Sequence, residues 1–107
     1  MSLKKQYLKS KPICRVTFTI PKEAVEDVKA ANLVGDFNNW DTSVTPMQKL
    51  KNGKFTATLE LDQGKEFQFR YVLDGAKWIN DEAADKYVSV PEVGADNSVV
   101  VVEVLED

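Results

Sequence analysis

Residues 54–61, KFTATLEL, and 66–74, EFQFRYVLD, decide the fold. In the first stretch Phe55, Ala57, Leu59 and Leu61 alternate with Lys54, Thr56, Thr58 and Glu60. That period of two belongs to a strand with one buried face. In the second, Phe67, Phe69, Tyr71 and Leu73 point one way, and Gln68, Arg70 and Val72 the other. DQGK (Asp62 to Lys65) turns the chain between them. KNGK (Lys51 to Lys54) opens the first stretch with an Asn-Gly turn signal.

Working outward, residues 13–20 read as a strand closed by Pro21, which cannot donate into a ladder. KEAVEDVK (Lys22 to Lys29) reads as a loop with room for one helical turn, leading to a strand near 30–35 that ends at Gly35. FNNWDTSVTP (Phe37 to Pro46) is loop-rich and carries a tryptophan. Downstream, Asp74-Gly75 makes a turn and Trp78 follows directly in loop-like surroundings. NDEAADKY is irregular, a short strand ends at Pro91, VGADN reads as a loop, and a last strand spans about 98–105. Seven to eight short strands with turn signals about every 8–12 residues predict an all-β antiparallel sandwich. The expected organisation is a basic, solvated and partly disordered tail over 1–11 followed by one domain over 12–107.

Composition narrows the chemistry. At 107 residues the chain has room for one modest core. It contains no histidine, which removes Ser–His–Asp and Cys–His nucleophile systems and the usual proton shuttle near pH 7. Cys14, the single cysteine, alternates with Val16, Phe18 and Ile20 and reads as a core thiol. The tail holds Lys4, Lys5, Lys9 and Lys11, leaving 10 basic against 17 acidic side chains in the remainder. Such a body repels a phosphate backbone, so no nucleic-acid partner is expected. No apolar run approaches the ~18 residues of a membrane span, and no apolar segment follows the N-terminal lysines. No membrane partner and a cytoplasmic location are therefore expected.

Catalysis is also not expected. A glycosidase needs two carboxylates roughly 5–10 Å apart across a cleft. Asp74 is a turn residue, and Asp81, Glu82 and Asp85 sit in a polar loop whose spacing matches no calcium site. Neither metal nor cofactor is implied. The aromatic residues say more. Phe18, Phe55, Phe67, Phe69 and Tyr71 lie on apolar faces and belong to the core, whereas Trp40 and Trp78 stand next to polar residues and turns. An indole covers the C–H face of a pyranose at low entropic cost, and guanidinium and amide groups bond neighbouring hydroxyls. Trp40, Trp78, Arg70 and Asn97 form such a set if the fold gathers them.

The segments LVGDFNNWD (33–41), EFQFRYVLDG (66–75), a tryptophan three residues beyond that glycine, and VGADNSVVVV (93–102) carry a resemblance. Together they are similar to the family 48 carbohydrate-binding modules. These are the early-set domains of isoamylases and glycogen branching enzymes and the glycogen-binding domain of the AMP-activated kinase β subunit. The resemblance spans about residues 13–104 and implies an immunoglobulin-like sandwich that binds glycogen, starch or another α-1,4-glucan, as a stand-alone regulatory or targeting module. It implies that Trp40 and Trp78 stack on sugar, Arg70 stands for a binding lysine, Val93 for a leucine that enters the glucan ring, and Asn97 for an asparagine that bonds hydroxyls. Ala95 replaces a threonine of the family pattern, which implies one hydrogen bond fewer. Phe37 and Asn38 read as loop-structuring, with Asp36 and Asp41 capping turns. The competing reading is a protein-interaction module whose exposed aromatics dock on an enzyme of glycogen metabolism.

Overall fold

A computed structural model describes residues 3–104, apart from the side chain of Val93. Where apolar residues alternate, strands form, and among the described residues there are nine: β1 Leu3–Tyr7, β2 Ile13–Ile20, β3 Ala31–Gly35, β4 Gln48–Lys49, β5 Phe55–Asp62, β6 Lys65–Leu73, β7 Lys77–Ile79, β8 Lys86–Val90 and β9 Ala95–Val102. They make two antiparallel sheets, ordered β1-β2-β5-β4 and β3-β6-β9-β8, with β7 also on β6. The fold is all-β and a sandwich.

The two decisive stretches lie in different sheets. The Gln63–Gly64 turn carries the chain from β5 across to β6, with Gly64 at φ 81°. That left-handed backbone favours glycine, and the Gly64 N–H bonds the Val102 carbonyl at 2.7 Å. β5 pairs instead with β2 over the full length Ile13↔Asp62 to Ile20↔Phe55. Their apolar faces therefore meet those of β3, β6 and β9 across the layers. Phe18 of β2 meets Phe69 of β6 edge-on at 5.0 Å between ring centres, and Phe69 meets Tyr71 at 5.7 Å. Cys14, Val16, Phe18 and Ile20 are all buried as their alternation requires. Burial pushes the Cys14 thiol up, as suits a core thiol.

β6 is the spine of its sheet. Its residues 69–73 pair with β3, while its other edge pairs with β9 at 65–69 and with β7 at 71–73. Phe69 and Tyr71 face the core, so parity turns Gln68, Arg70 and Val72 outward. That outer face is not simply wet: Val34, Val72 and Val99, which lie on it, are fully buried.

Four strands depart from the sequence expectation: β7, around Trp78, and three more. Residues 3–7, read as solvated tail, form β1 along β2 from Leu3↔Phe18 to Tyr7↔Cys14. Leu3 is buried, the Tyr7 hydroxyl accepts from the Glu103 N–H at 3.1 Å, and Lys5 Nζ reaches Asp85 at 2.7 Å. Two apolar residues separated by a lysine hide this inward face from a periodicity reading. β4 has two residues, too few to show a period. β9 begins at Ala95, not near 98, because Gly94 at φ 66° completes the turn and Ala95 already pairs with Val90.

Two polar groups fasten the loop after β7. The Tyr71 hydroxyl donates to Asp81 at 2.6 Å, and both residues are buried. Burial, with the Asp81 charge beside it, holds the Tyr71 pKa well above its ordinary value. An acid whose folded pKa is raised loses stabilising effect as pH climbs past its unfolded value, about 10. Replacing Tyr71 by Phe leaves the Asp81 oxygen without this donor, so Tyr71→Phe should be less stable by about 1–3 kcal/mol near pH 7. Above pH 10 the wild-type advantage should shrink by up to about 1.4 kcal/mol per pH unit. Paired urea denaturations from pH 7 to 11 measure the difference, and a constant gap would contradict it.

Candidate functional site

Downstream of β3 the chain makes a 3-10 turn, Asp36–Asn38, held by one side chain. Asn38 Oδ1 accepts from the Gly35 N–H at 3.0 Å, and Asn38 Nδ2 donates to the Leu33 carbonyl at 2.9 Å and Thr45 Oγ1 at 3.0 Å. Phe37 anchors the same turn on Phe18 and Phe67, at 5.7 and 6.2 Å. Both residues structure the loop, as the sequence suggested. Gly35 is required there by close approach: a Cβ would collide with the Gln68 carbonyl and lie 2.9 Å from Phe69 Cβ. The turn delivers Trp40, half-buried, at the edge of the outer face of β6.

Trp78 arrives from the other side. It lies on β7 opposite Val72, so its position is a strand and not the loop expected from sequence. Its side chain is 43% exposed, which makes it one of the few large apolar groups open to solvent among the described residues. Asn80, two residues on, bonds β7 to β9: Nδ2 donates to the Asp96 carbonyl at 2.8 Å, and Oδ1 accepts from the Ser98 N–H at 2.9 Å and the Ser98 hydroxyl at 2.8 Å. This clamp sits next to Asn97, which faces outward beside Arg70. Arg70 Nε donates to Asn97 Oδ1 at 2.6 Å, and Asn97 Nδ2 to Gln68 Oε1 at 3.0 Å. Arg70 Nη2 is buried with no partner among the described residues.

Trp40, Arg70, Trp78, Val90 and Asn97 line one open groove of about 440 Å³. Four of the five residues singled out from sequence are thus brought together. Val93 ends the 3-10 turn Pro91–Val93 beyond β8, and its side chain lies outside the described residues. Val90 was missed. Its signal was weak: a single valine before Pro91, in a segment too short to fix which face it takes.

A family profile described as carbohydrate-binding module 48 (isoamylase N-terminal domain) matches residues 26–89. The chain belongs to that family. Its match runs from the approach to β3 into β8 and takes in Trp40, Arg70 and Trp78. The chain is also 30% identical over 73 residues to an amylopullulanase of Thermoanaerobacterium thermosulfurigenes. That similarity covers 61% of this chain but 4% of the relative, so the two share a module and not a whole protein. The family is a carbohydrate-binding one and not in itself catalytic.

Within this family 48 module three of the four acidic side chains weighed for catalysis, Asp74, Asp81 and Asp85, have structural work. Asp74 Oδ1 accepts from the Lys29 and Ala30 N–H groups, each at 2.9 Å. Asp81 takes the Tyr71 hydroxyl and, at 2.7 Å, the Ala83 N–H, and Asp85 takes Lys5 and the Val101 N–H. Asp41 accepts from the Ser43 N–H and hydroxyl, which hold its carboxyl below the usual range. Asp36 departs from the expected turn cap, since its oxygens go to Trp40 Nε1 at 3.0 Å and the Gln68 N–H at 2.8 Å. Among the described residues no helix is long and apolar enough to cross a membrane.

The Asn80 clamp yields a test. Asn80→Ala removes three bonds and leaves the N–H and the hydroxyl proton of fully buried Ser98 without their acceptor, while the Ser98 oxygen still accepts from the Asp81 N–H. The expected loss is about 3 kcal/mol in urea denaturation, and a loss within error of zero would show that the clamp does not hold β7 to β9.

Proposed function

We propose that this module binds α-1,4-glucan (glycogen, starch or maltooligosaccharide) in the groove and catalyses no reaction itself. The observation that supports it most is the presence of two indoles on one open groove, with a guanidinium and a carboxamide alongside. Trp40 and Trp78 stack on the C–H faces of successive glucose rings, where apolar contact is gained without ordering a flexible side chain. Arg70 and Asn97 bond ring hydroxyls. The 2.6 Å bond between them fixes both groups before sugar arrives, which lowers the ordering cost of binding. Arg70 brings a planar fork where a lysine would bring a point charge, so it favours two adjacent hydroxyls over one. Val90 extends the apolar surface, and the family resemblance gives Val93 the part of a leucine that enters the glucan ring.

The role that fits is regulatory or targeting: the module holds a partner on polysaccharide and raises its effective concentration there. The family, that of the isoamylase N-terminal domain, and the relative, an amylopullulanase, support an enzyme of glycogen or starch metabolism as that partner.

Tryptophan fluorescence during titration with maltoheptaose, β-cyclodextrin and cellohexaose tests the reading. The α-glucans should bind with Kd between micromolar and millimolar, about −8 to −4 kcal/mol, and cellohexaose should not. Trp40→Ala and Trp78→Ala should each stay folded and weaken binding at least about tenfold. No α-glucan binding at millimolar concentration by the folded protein would reject the reading and turn the search to a protein partner.

A further inference from the structure

Trp40 occupies a conformation that its own chemistry disfavours. Asn39 and Trp40 have φ of 59° and 58°, two consecutive non-glycine residues in the left-handed region. Asparagine tolerates that region, but an aromatic residue is rarely found there, and such geometry persists only where its surroundings impose it. Here both ends of Trp40 are tied. Its N–H donates to the Gly35 carbonyl at 3.0 Å, and its indole N–H donates to Asp36 Oδ1 at 3.0 Å.

Asp36 is anchored in turn. The last pair between β3 and β6 is Gly35↔Phe69, so beyond it the Gln68 N–H faces no strand. The second oxygen of Asp36 takes that N–H at 2.8 Å and extends the ladder by one side-chain bond. The Gln68 side chain then points across the outer face, where its Oε1 accepts from Asn97 Nδ2, whose own Oδ1 accepts from Arg70. One unbroken path therefore runs from Trp40 through Asp36, Gln68 and Asn97 to Arg70. It joins the two sides of the groove through two residues that do not line it.

We propose that Asp36 and Gln68 are positioning residues, which hold Trp40 and Asn97 in the ligand-ready arrangement before any ligand is present. Asp36 sets the plane of the Trp40 ring, and Gln68 transmits that setting to the amide of Asn97. Only the affinity consequences rest on the glucan reading; the orientation of Trp40 does not.

The protein has two tryptophans, so Trp78→Phe leaves Trp40 as the sole reporter. In that background Asp36→Ala should move Trp40 emission to longer wavelength and raise its quenching by acrylamide, while Asp36→Asn, which keeps one acceptor oxygen, should fall between. Unchanged emission and quenching in folded Asp36→Ala would overturn the proposal, whatever the sugar results. If Asp36→Ala does not fold, Asp36→Asn decides the same point.

With both tryptophans present, Asp36→Ala should weaken maltoheptaose binding about tenfold, and Gln68→Ala several-fold. The double variant should fall short of the product of the two effects, as expected for groups in one network. In a Trp40→Phe protein, which lacks the indole N–H, Asp36→Ala should have much less effect. An undiminished effect there would mean that Asp36 acts on the fold and not through Trp40, and would overturn the proposal. Should the unmutated protein bind no α-glucan, the functional reading fails, and the emission experiment still judges the positioning.

Discussion

Everything in this module depends on the parity of one strand. β6 has Phe69 and Tyr71 on its inner face, with the Phe69 ring edge-on to Phe18 of the opposite sheet. That contact cannot form without turning Gln68 and Arg70 to the other side, because successive residues of a strand alternate. Slipping β6 by one residue would bury the guanidinium among phenylalanines and expose the aromatic rings. The core and the groove are therefore two faces of one commitment. The aromatic packing that stabilises the sandwich also fixes where the polar groups of the site stand.

The groove needs more than parity, because a flat sheet face would leave its residues in water. Two additions wall it: the turn after β3 brings in Trp40, and β7 brings in Trp78. In both, side chains substitute for missing backbone partners. Asn38 closes its turn on Gly35 and Leu33, Asp74 receives the Lys29 and Ala30 N–H groups, and Asn80 receives the Ser98 N–H. Asx side chains suit this work, since a short carboxamide or carboxylate reaches nearby main-chain groups without leaving the turn. The valines beneath, Val34, Val72 and Val99, give the outer face a small dry floor.

Sequence alone made the long strands legible because each buries one face and shows a period of two: β2, β5 and β6 were placed within a residue or so. β1 was not, since Lys5 stands among its inward residues and finds its partner, Asp85, some eighty positions away. β7 and the start of β9 were missed for a related reason. β7 pairs on the edge that β6 leaves open, and residues 95–97 of β9 pair with β8, so neither is set by its own composition. Trp40, Trp78, Arg70 and Asn97 were nameable from residue chemistry and family resemblance. Their convergence was not, because it depends on the Asn80 clamp and the Asp36 bridge, each of which spans many residues. Asp36 itself was read as a local cap, the commoner use of such a residue, when its second oxygen goes to a strand 32 positions on.

The Gln63–Gly64 crossing between the layers has a kinetic consequence. Because β5 and β6 enter opposite sheets, no hairpin links them, and each must find its main partner far along the chain. β5 waits on β2, and β6 is flanked by β3 and β9. Contacts of such long sequence separation require large loops to close before any stabilisation returns, which puts sandwiches of this kind in the slower range, on the order of milliseconds to seconds. On a ribosome the order is stricter still. The first sheet can assemble once β5 has emerged, but the second lacks its inner strand β9 until residues 95–102 are made. Asn97 is on that strand, so the groove is the last part of the sandwich to form, and a chain stalled before β9 would hold both tryptophans without the surface that unites them.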